Sequence, residues 1–250
     1  MQKGWRNAVT GVLMGVLCLL GAASSGMALE VAEEVTSNVI TIIKHAGGDP
    51  VRLVMSEQCT EPAPDGGTKF CLCQGVSFRI AQILASTAWE DGVFRSWDVE
   101  VETGWNTEGP EEFFHDAAEV RSLVYDESAT PEKDLALQDS WYRLRVVSTG
   151  KVYLFRGTSS IYIENFLDLR KKSKNGTITD EEKVAMQALR QRMVQFLTAL
   201  PFRSEAFDVS ISQGVSSSGS GGSGGCSMGN FPWTGMLFLV VPGMLFWARK

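Results

Sequence analysis

Apolar positions recur along the middle of the chain at two spacings. Val76, Ile80, Ile83 and Leu84 share a helical face, with Ala81, Ala85 and Ala88 beside them. They predict a helix running from Phe70-Cys71-Leu72-Cys73-Gln74-Gly75 to about Trp89. Asp98-Val99-Glu100-Val101-Glu102 alternates in steps of two, the pattern of a half-buried strand. Trp141 to Val147 and Lys151 to Arg156, with a turn at Thr149-Gly150 between them, read as a hairpin. Asn165 to Lys172 and Asp180 to Leu200 read as two helices. In the second, Met186, Leu189, Met193, Phe196, Leu197 and Leu200 form an apolar stripe, and Thr179 with Glu182 makes a capping box at its start.

Nearer the N-terminus, Val31, Val35, Val39, Ile42 and Ile43 stand at near-helical spacing and predict a helix over Leu29 to His45, closed by Gly47-Gly48. Pro50 cannot continue it, and Val51 to Met55 is a short β-favouring run. Pro62, Pro64, Gly66 and Gly67 make Glu61 to Gly67 a loop. After the strand at Asp98 comes a polar stretch, Trp105-Asn106-Thr107-Glu108, and then a helix. Pro110 fits the first position of that helix, and Glu111 and Glu112 suit its positive N-terminal end. There is no internal repeat. The mixture predicts an α+β fold: a single mixed domain with a central sheet and packed helices, flanked by a signal peptide and a C-terminal transmembrane segment.

Both flanks are legible as patterns. Lys3 and Arg6 precede an apolar run from Val9 to Leu20, and Gly26-Met27-Ala28 supplies small residues ahead of Leu29. That is the anatomy of a signal peptide over residues 1–28, cut by signal peptidase after Ala28. Cys18 follows the bulky Leu17 and reads as part of the apolar run. At the other end, residues 214–226 form a Ser/Gly linker closing on Gly225-Cys226, too poor in apolar surface to fold. Residues 227–250 carry an apolar run from Phe231 to Ala248 and end on Arg249-Lys250. The run is just long enough to span a bilayer, with the basic pair left on the cytoplasmic side. The remaining residues 29–213 then lie outside the cytoplasmic membrane, anchored to the membrane or cell surface.

Composition narrows the function classes. Net charge is −6 and the lysines and arginines are scattered. Nucleic acid, whose phosphates need clustered cations, is not an expected partner. Of five cysteines, three fall between the flanks: Cys59, Cys71 and Cys73. Outside the cytoplasm, paired thiols tend to oxidise. A staple joining Cys59 to Cys71 or to Cys73 is therefore one reading. Others start from the helix N-terminus, whose dipole favours a thiolate. A thiolate there binds a soft metal or exchanges disulfides. His115 is a further imidazole ligand or proton carrier, beside His45. Trp105, Asn106, Thr107 and Glu108 lie where a strand feeds a helix, a common position for a ligand site. Lys171 to Glu182 has the spacing of a calcium loop but carries Lys171 and Ser173 where carboxylates are needed, which excludes that ion.

Two resemblances add to this reading. The tail, with its Ser/Gly run, Gly224-Gly225-Cys226, apolar helix and basic end, resembles the Synerg-CTERM bacterial sorting signal and shares its plan with the GlyGly-CTERM and MYXO-CTERM signals. The resemblance implies that an intramembrane sorting protease cuts near Cys226. Separately, Cys71-Leu72-Cys73-Gln74-Gly75-Val76-Ser77-Phe78-Arg79 resembles the FmdE domain family of formylmethanofuran dehydrogenases, whose segment runs His-Gly-His-x-Cys-Pro-Gly and on to an aromatic-Arg pair. Cys71 matches the family cysteine, and Phe78 and Arg79 match the pair; the likeness extends to about Val124. It implies a mixed α+β unit with metal-binding capacity. The family histidines fall on Gly67 and Lys69 here, so Cys73, Cys59 or His115 would have to replace them.

These readings combine into an expectation. The chain is an exported, anchored binding protein for a small ligand or a metal, zinc being the representative transition metal. Cys71 and Cys73 are its principal ligands, and Arg79 is an orienting cation beside the Trp105–Glu108 loop. The competing expectations are a thiol–disulfide oxidoreductase using Cys71 and Cys73, and a non-catalytic surface protein.

Overall fold

Helix α2 (Leu72–Ala88) is enclosed along most of its length, and the other elements are arranged about it. In the computed structural model, residues 31–214 are described, apart from 33, 64, 65, 127–139 and 164. Val76, Phe78, Ile80, Ala81, Ile83, Leu84 and Ala85 of α2 are all fully buried. A helix apolar on several faces needs partners on several faces. It has them in α5 (Asp180–Thr198), in β6 (Phe94–Arg95), and in a short helix, α3 (Glu108–Pro110), that continues as a π-helix over Glu111–Ala117. Each large apolar side chain removed from water here contributes about 1.5–3 kcal/mol.

The fold is mixed α+β. A five-stranded sheet has the order β12-β10-β9-β7-β8, made of β7 (Val99–Thr103), β8 (Ser122–Tyr125), β9 (Trp141–Val146), β10 (Lys151–Gly157) and β12 (Phe207–Gln213). Its pairs are antiparallel except β7 with β8. One face buries Val99, Val101, Tyr142, Leu144 and Val146. The other carries Glu100 opposite Arg145 and Glu102 opposite Arg143, which form ion pairs at 3.2 and 2.6 Å. These solvent-exposed pairs secure register more than stability, at about 0.2–1 kcal/mol each. A three-stranded sheet, β3-β2-β6, uses β2 (Val39–Ile43) and β3 (Val51–Val54). Two small pairings complete the set: β4 (Thr60–Pro62) with β5 (Thr68–Phe70), and β1 (Glu34–Val35) with β11 (Phe202–Arg203).

The hairpin β9–β10, the strand β7, the helix α2 and the two late helices, α4 (Phe166–Lys174) and α5, stand where the sequence pattern puts them. The capping box of Thr179 and Glu182 is closed in both directions. The N-terminal helix expected over Leu29 to His45 is replaced by β1 and β2. Val39, Ile40, Thr41, Ile42 and Ile43 are all β-branched, and their alternate members Ile40 and Ile42 are buried in a period of two. The loop at Glu61 is a hairpin whose arms are β4 and β5. Pro110 ends the first turn of its helix instead of starting it, because the helix begins at Glu108.

Among the described residues no helix is long and apolar enough to cross a membrane. The expected span at 231–248 and the processing positions Ala28, Gly225 and Cys226 lie outside the described residues.

Candidate functional site

Cys71 is the N-cap of α2, with extended backbone, and its carbonyl accepts the N–H of Gly75 at 3.0 Å. Cys73 therefore lies in the first turn, where backbone N–H groups lack intrahelical partners and the dipole is positive. The cap residue is pinned from behind: its N–H donates to the Cys59 carbonyl at 2.9 Å.

The opposite wall comes from the connection between β7 and α3. Thr103 holds this turn, its hydroxyl donating to the Trp141 carbonyl at 2.8 Å and accepting the Trp105 N–H at 3.0 Å. The chain then passes close to α2 at Gly109. A Cβ there would stand 2.3 Å from Cβ of Cys73 and 2.8 Å from N of Gln74, so only glycine permits the approach. This contact brings Trp105 and Thr107 to Cys73. α4 and the segment before it close a third side, with Tyr162 stacked on Trp105 at 5.0 Å between ring centroids.

Between these walls lies a cavity of about 80 Å³, lined in part by Cys71, Cys73, Trp105, Tyr162, Arg170 and Arg190. Arg190 is held by Glu61 at 2.6 Å and by the Phe70 carbonyl at 2.5 Å. Several buried polar atoms around the cavity make no full hydrogen bond: Trp105 Nε1, Thr107 Oγ1, Ser140 Oγ, Tyr142 Oη and Tyr162 Oη. An orphaned buried polar group costs about 1–3 kcal/mol. Their clustering at one spot marks a place where stability is given up.

The three thiols among the described residues face very different surroundings, and none is in a disulfide. Cys59 is fully buried, and burial pushes its thiol up to about 12. The Cys71 thiol is pushed far above its ordinary range, first because it donates its proton to Cys73 and then by burial. The Cys73 thiol is pulled down to about 6. The hydrogen bond from Cys71 is the largest cause; burial opposes it, and the Arg170 charge, the Trp105 indole N–H and the Thr107 hydroxyl add to it. Neither of those last two donors closes a full hydrogen bond. Both reach the sulfur only loosely, which suits a large, soft anion. The asymmetry decides which thiol ionises: Cys73 has donors and a cation, whereas Cys71 has the Glu61 carboxylate near it.

The other expected site residues are dispersed. Asn106 is exposed on the loop and Glu108 at the start of α3. His115 is exposed on the π-helix, 2.8 Å from Asp116, its neighbour in the chain. Arg79 is a correction. It does not orient a ligand, being wholly buried on another side of α2, where it donates to the carbonyls of Leu197 at 2.6 and 2.8 Å and Ser37 at 3.0 Å and to the side chains of Gln82 and Asn38. It also stacks over Phe202. The metal set of Cys71, Cys73, Cys59 and His115 does not assemble: among the described residues no three His, Cys, Asp or Glu side chains are grouped to hold a metal ion. Zinc, which prefers a closed set of four sulfur and nitrogen ligands, does not fit here.

Sequence reasoning missed Tyr142, Tyr162, Arg170, Arg190 and Gly109. Gly109 carried a signal, as a glycine beside a helix start. The arginines carried none, because Arg170 belongs to a helix turn crowded with exposed lysines. No protein-family model matches the chain, and no curated protein or solved structure matches it.

Proposed function

We propose that the domain is an exported, anchored redox-active dithiol protein, in which Cys73 is the nucleophilic thiolate and Cys71 the thiol that closes a disulfide with it. The observation carrying this reading is the placement of Cys73 in the first turn of α2, lining one small cavity with Cys71, Trp105 and Arg170. Helix-start thiols flanked by cations are the reactive class, and buried thiols in apolar surroundings are inert, as Cys59 is. Export and anchoring belong to the same reading. They rest on the residues of the two flanks, and an oxidising exterior suits a dithiol that cycles. The resemblance to the FmdE domain keeps its cysteine at Cys71 and loses its metal site.

Magnitudes show which measurement discriminates. At pH 7 a thiol titrating near 8.5 is about 3% ionised and one near 6 about 90%, a gain of roughly thirtyfold. The lower basicity costs about ten- to twentyfold in nucleophilicity. The net gain is only about two- to threefold, so identity and connectivity are better readouts than rate. Controlled oxidation of the full-length chain, followed by non-reducing peptide mapping, tests the reading. The expected product links Cys71 to Cys73 and leaves Cys59 as a thiol. A bridge from Cys59 to either residue would instead make the cysteines a staple.

A further inference from the structure

The cavity beside Cys73 is small, and its lining is ordered by chemistry. At about 80 Å³ the space is small against the roughly 300–1,000 Å³ of a drug-sized ligand's pocket and holds only a few solvent-sized atoms. A peptide disulfide needs more: its two sulfurs must lie in line with the attacking one, with a carbon and a backbone behind each. Phe166, Leu167 and Met193 add apolar side chains to the lining. Trp105 and Tyr162 line the same space as Cys73, and Trp105 Nε1, beside the Cys73 sulfur, and Tyr162 Oη, beside Ser140, are buried donors that close no full hydrogen bond. Trp105 is 2% exposed and Tyr162 6%. The Tyr162 hydroxyl stays protonated, because burial and the charge on Cys73 both push its titration upward. Such a space suits a molecule of two oxygens that becomes more negative as it reacts.

The geometry points to a small hydroperoxide as the oxidant this site takes, with Cys73 as the attacking sulfur, Cys71 as the resolving thiol, and Trp105 and Tyr162 as donors to the departing oxygen. This rests on the dithiol reading above. In the first step the Cys73 thiolate attacks one oxygen, an S–O bond forms and the O–O bond breaks. Hydroxide (or alkoxide) leaves and is protonated. Sulfur is oxidised by two electrons to a sulfenic acid, and the peroxide is reduced. In the second step the Cys71 sulfur attacks that of Cys73, the S–S bond forms and the S–O bond breaks; the hydroxyl leaves as water with the Cys71 proton. The sum is two thiols and one hydroperoxide giving one disulfide and two waters (or a water and an alcohol). An external thiol restores the pair by exchange. A thiolate that is reachable and beside a resolving cysteine is the arrangement this chemistry requires. Closing the ring disturbs only the first turn of α2, where few intrahelical bonds exist to be lost.

The test mixes the reduced full-length chain, in detergent, with hydrogen peroxide or oxidised glutathione and follows products by mass. Hydrogen peroxide is expected to form the Cys71–Cys73 disulfide at least about tenfold faster, per thiolate, than it oxidises free cysteine, since one donor to a developing oxyanion is worth about 10²–10³. In Cys71→Ser, a dimedone adduct on Cys73 replaces the disulfide. Tyr162→Phe keeps the ring stacked on Trp105 and removes one donor. It is expected to slow the peroxide reaction by at least about tenfold while the pH midpoint of Cys73 alkylation stays near 6. A peroxide rate per thiolate equal to that of free cysteine, with glutathione disulfide still oxidising the pair, overturns the peroxide inference and leaves the dithiol reading standing. If neither oxidant links Cys71 to Cys73, both fall.

Discussion

Arg79 and Cys73 lie less than two turns apart on α2, and the protein treats their charges in opposite ways. Arg79 is wholly buried, yet its guanidinium is surrounded by acceptors: carbonyls of Leu197 and Ser37, and side-chain oxygens of Gln82 and Asn38. Burial still lowers its pKa to about 10, leaving it charged at neutral pH. With its donors met in this way, it ties three distant parts of the chain together. Cys73 accepts from Cys71 and faces a cavity and two buried donors, Trp105 Nε1 and Thr107 Oγ1, that close no full hydrogen bond. A satisfied buried charge is a clamp, and an unsatisfied cluster aimed at a nucleophile is a site. Both residue types sit in the same conspicuous motif, and only their surroundings separate them.

The largest expected effect falls on the clamp. Arg79→Met takes the donor from the Leu197 carbonyl and from the Gln82 and Asn38 side-chain oxygens, while the Ser37 carbonyl keeps the Gln82 amide, and costs about 3 kcal/mol or more in urea unfolding, at about 1–3 kcal/mol per orphaned group. The pH midpoint of Cys73 should not move; a shifted midpoint would mean that the two regions are coupled and the contrast is false. Gly109→Ala comes next. Its Cβ cannot fit 2.3 Å from Cβ of Cys73, so the loop must retreat, at about 1–3 kcal/mol. The retreat takes Trp105 and Thr107 with it, so the Cys73 midpoint should rise. Unfolding alone, with no change in the midpoint, would show that the loop plays no part in activating the thiol.

A linkage measurement is subtler. Cys73 titrates near 6 when folded and, as a free thiol, near 8.5 when unfolded. The folded state then binds fewer protons than the unfolded state between those values, and stability rises with pH across that window. As pH falls through 6 the contribution is lost. The stability difference between the natural chain and Cys73→Ser should therefore widen from pH 6 to pH 8.5 and be flat below it. A constant difference would mean that the thiol is unperturbed. The smallest effect is expected from Thr107→Val, which removes one weak donor. It should raise the Cys73 midpoint by a few tenths of a unit and change stability by about 1 kcal/mol or less, since that hydroxyl closes no full hydrogen bond.

How much of this is legible in the chain follows from where each signal resides. Helix α2, strand β7 and the β9–β10 hairpin are read from periodicity because burial on fixed faces imposes it. The N-terminal segment misleads because Val35, Val39 and Ile42 fit a helical spacing, while β-branching and pairing with β3 and β11 win. The pair Cys71 and Cys73 is visible as a motif, and the helix start that activates it is visible too. Its chemistry is not, because Arg170 and Tyr162 arrive through tertiary packing from positions far along the chain. Arg79 misleads for the same reason: its acceptors include backbone carbonyls of α5 and of the segment before β2, which no residue identity announces.

The most direct test of the activated thiol is the pH dependence of Cys73 alkylation by iodoacetamide in the reduced full-length chain, read by peptide mass. Cys73 is expected to label along a single titration with its midpoint near 6, with Cys59, at about 12, remaining unlabelled across the same range. A Cys73 midpoint near 8.5, the value of an unperturbed thiol, would contradict the account.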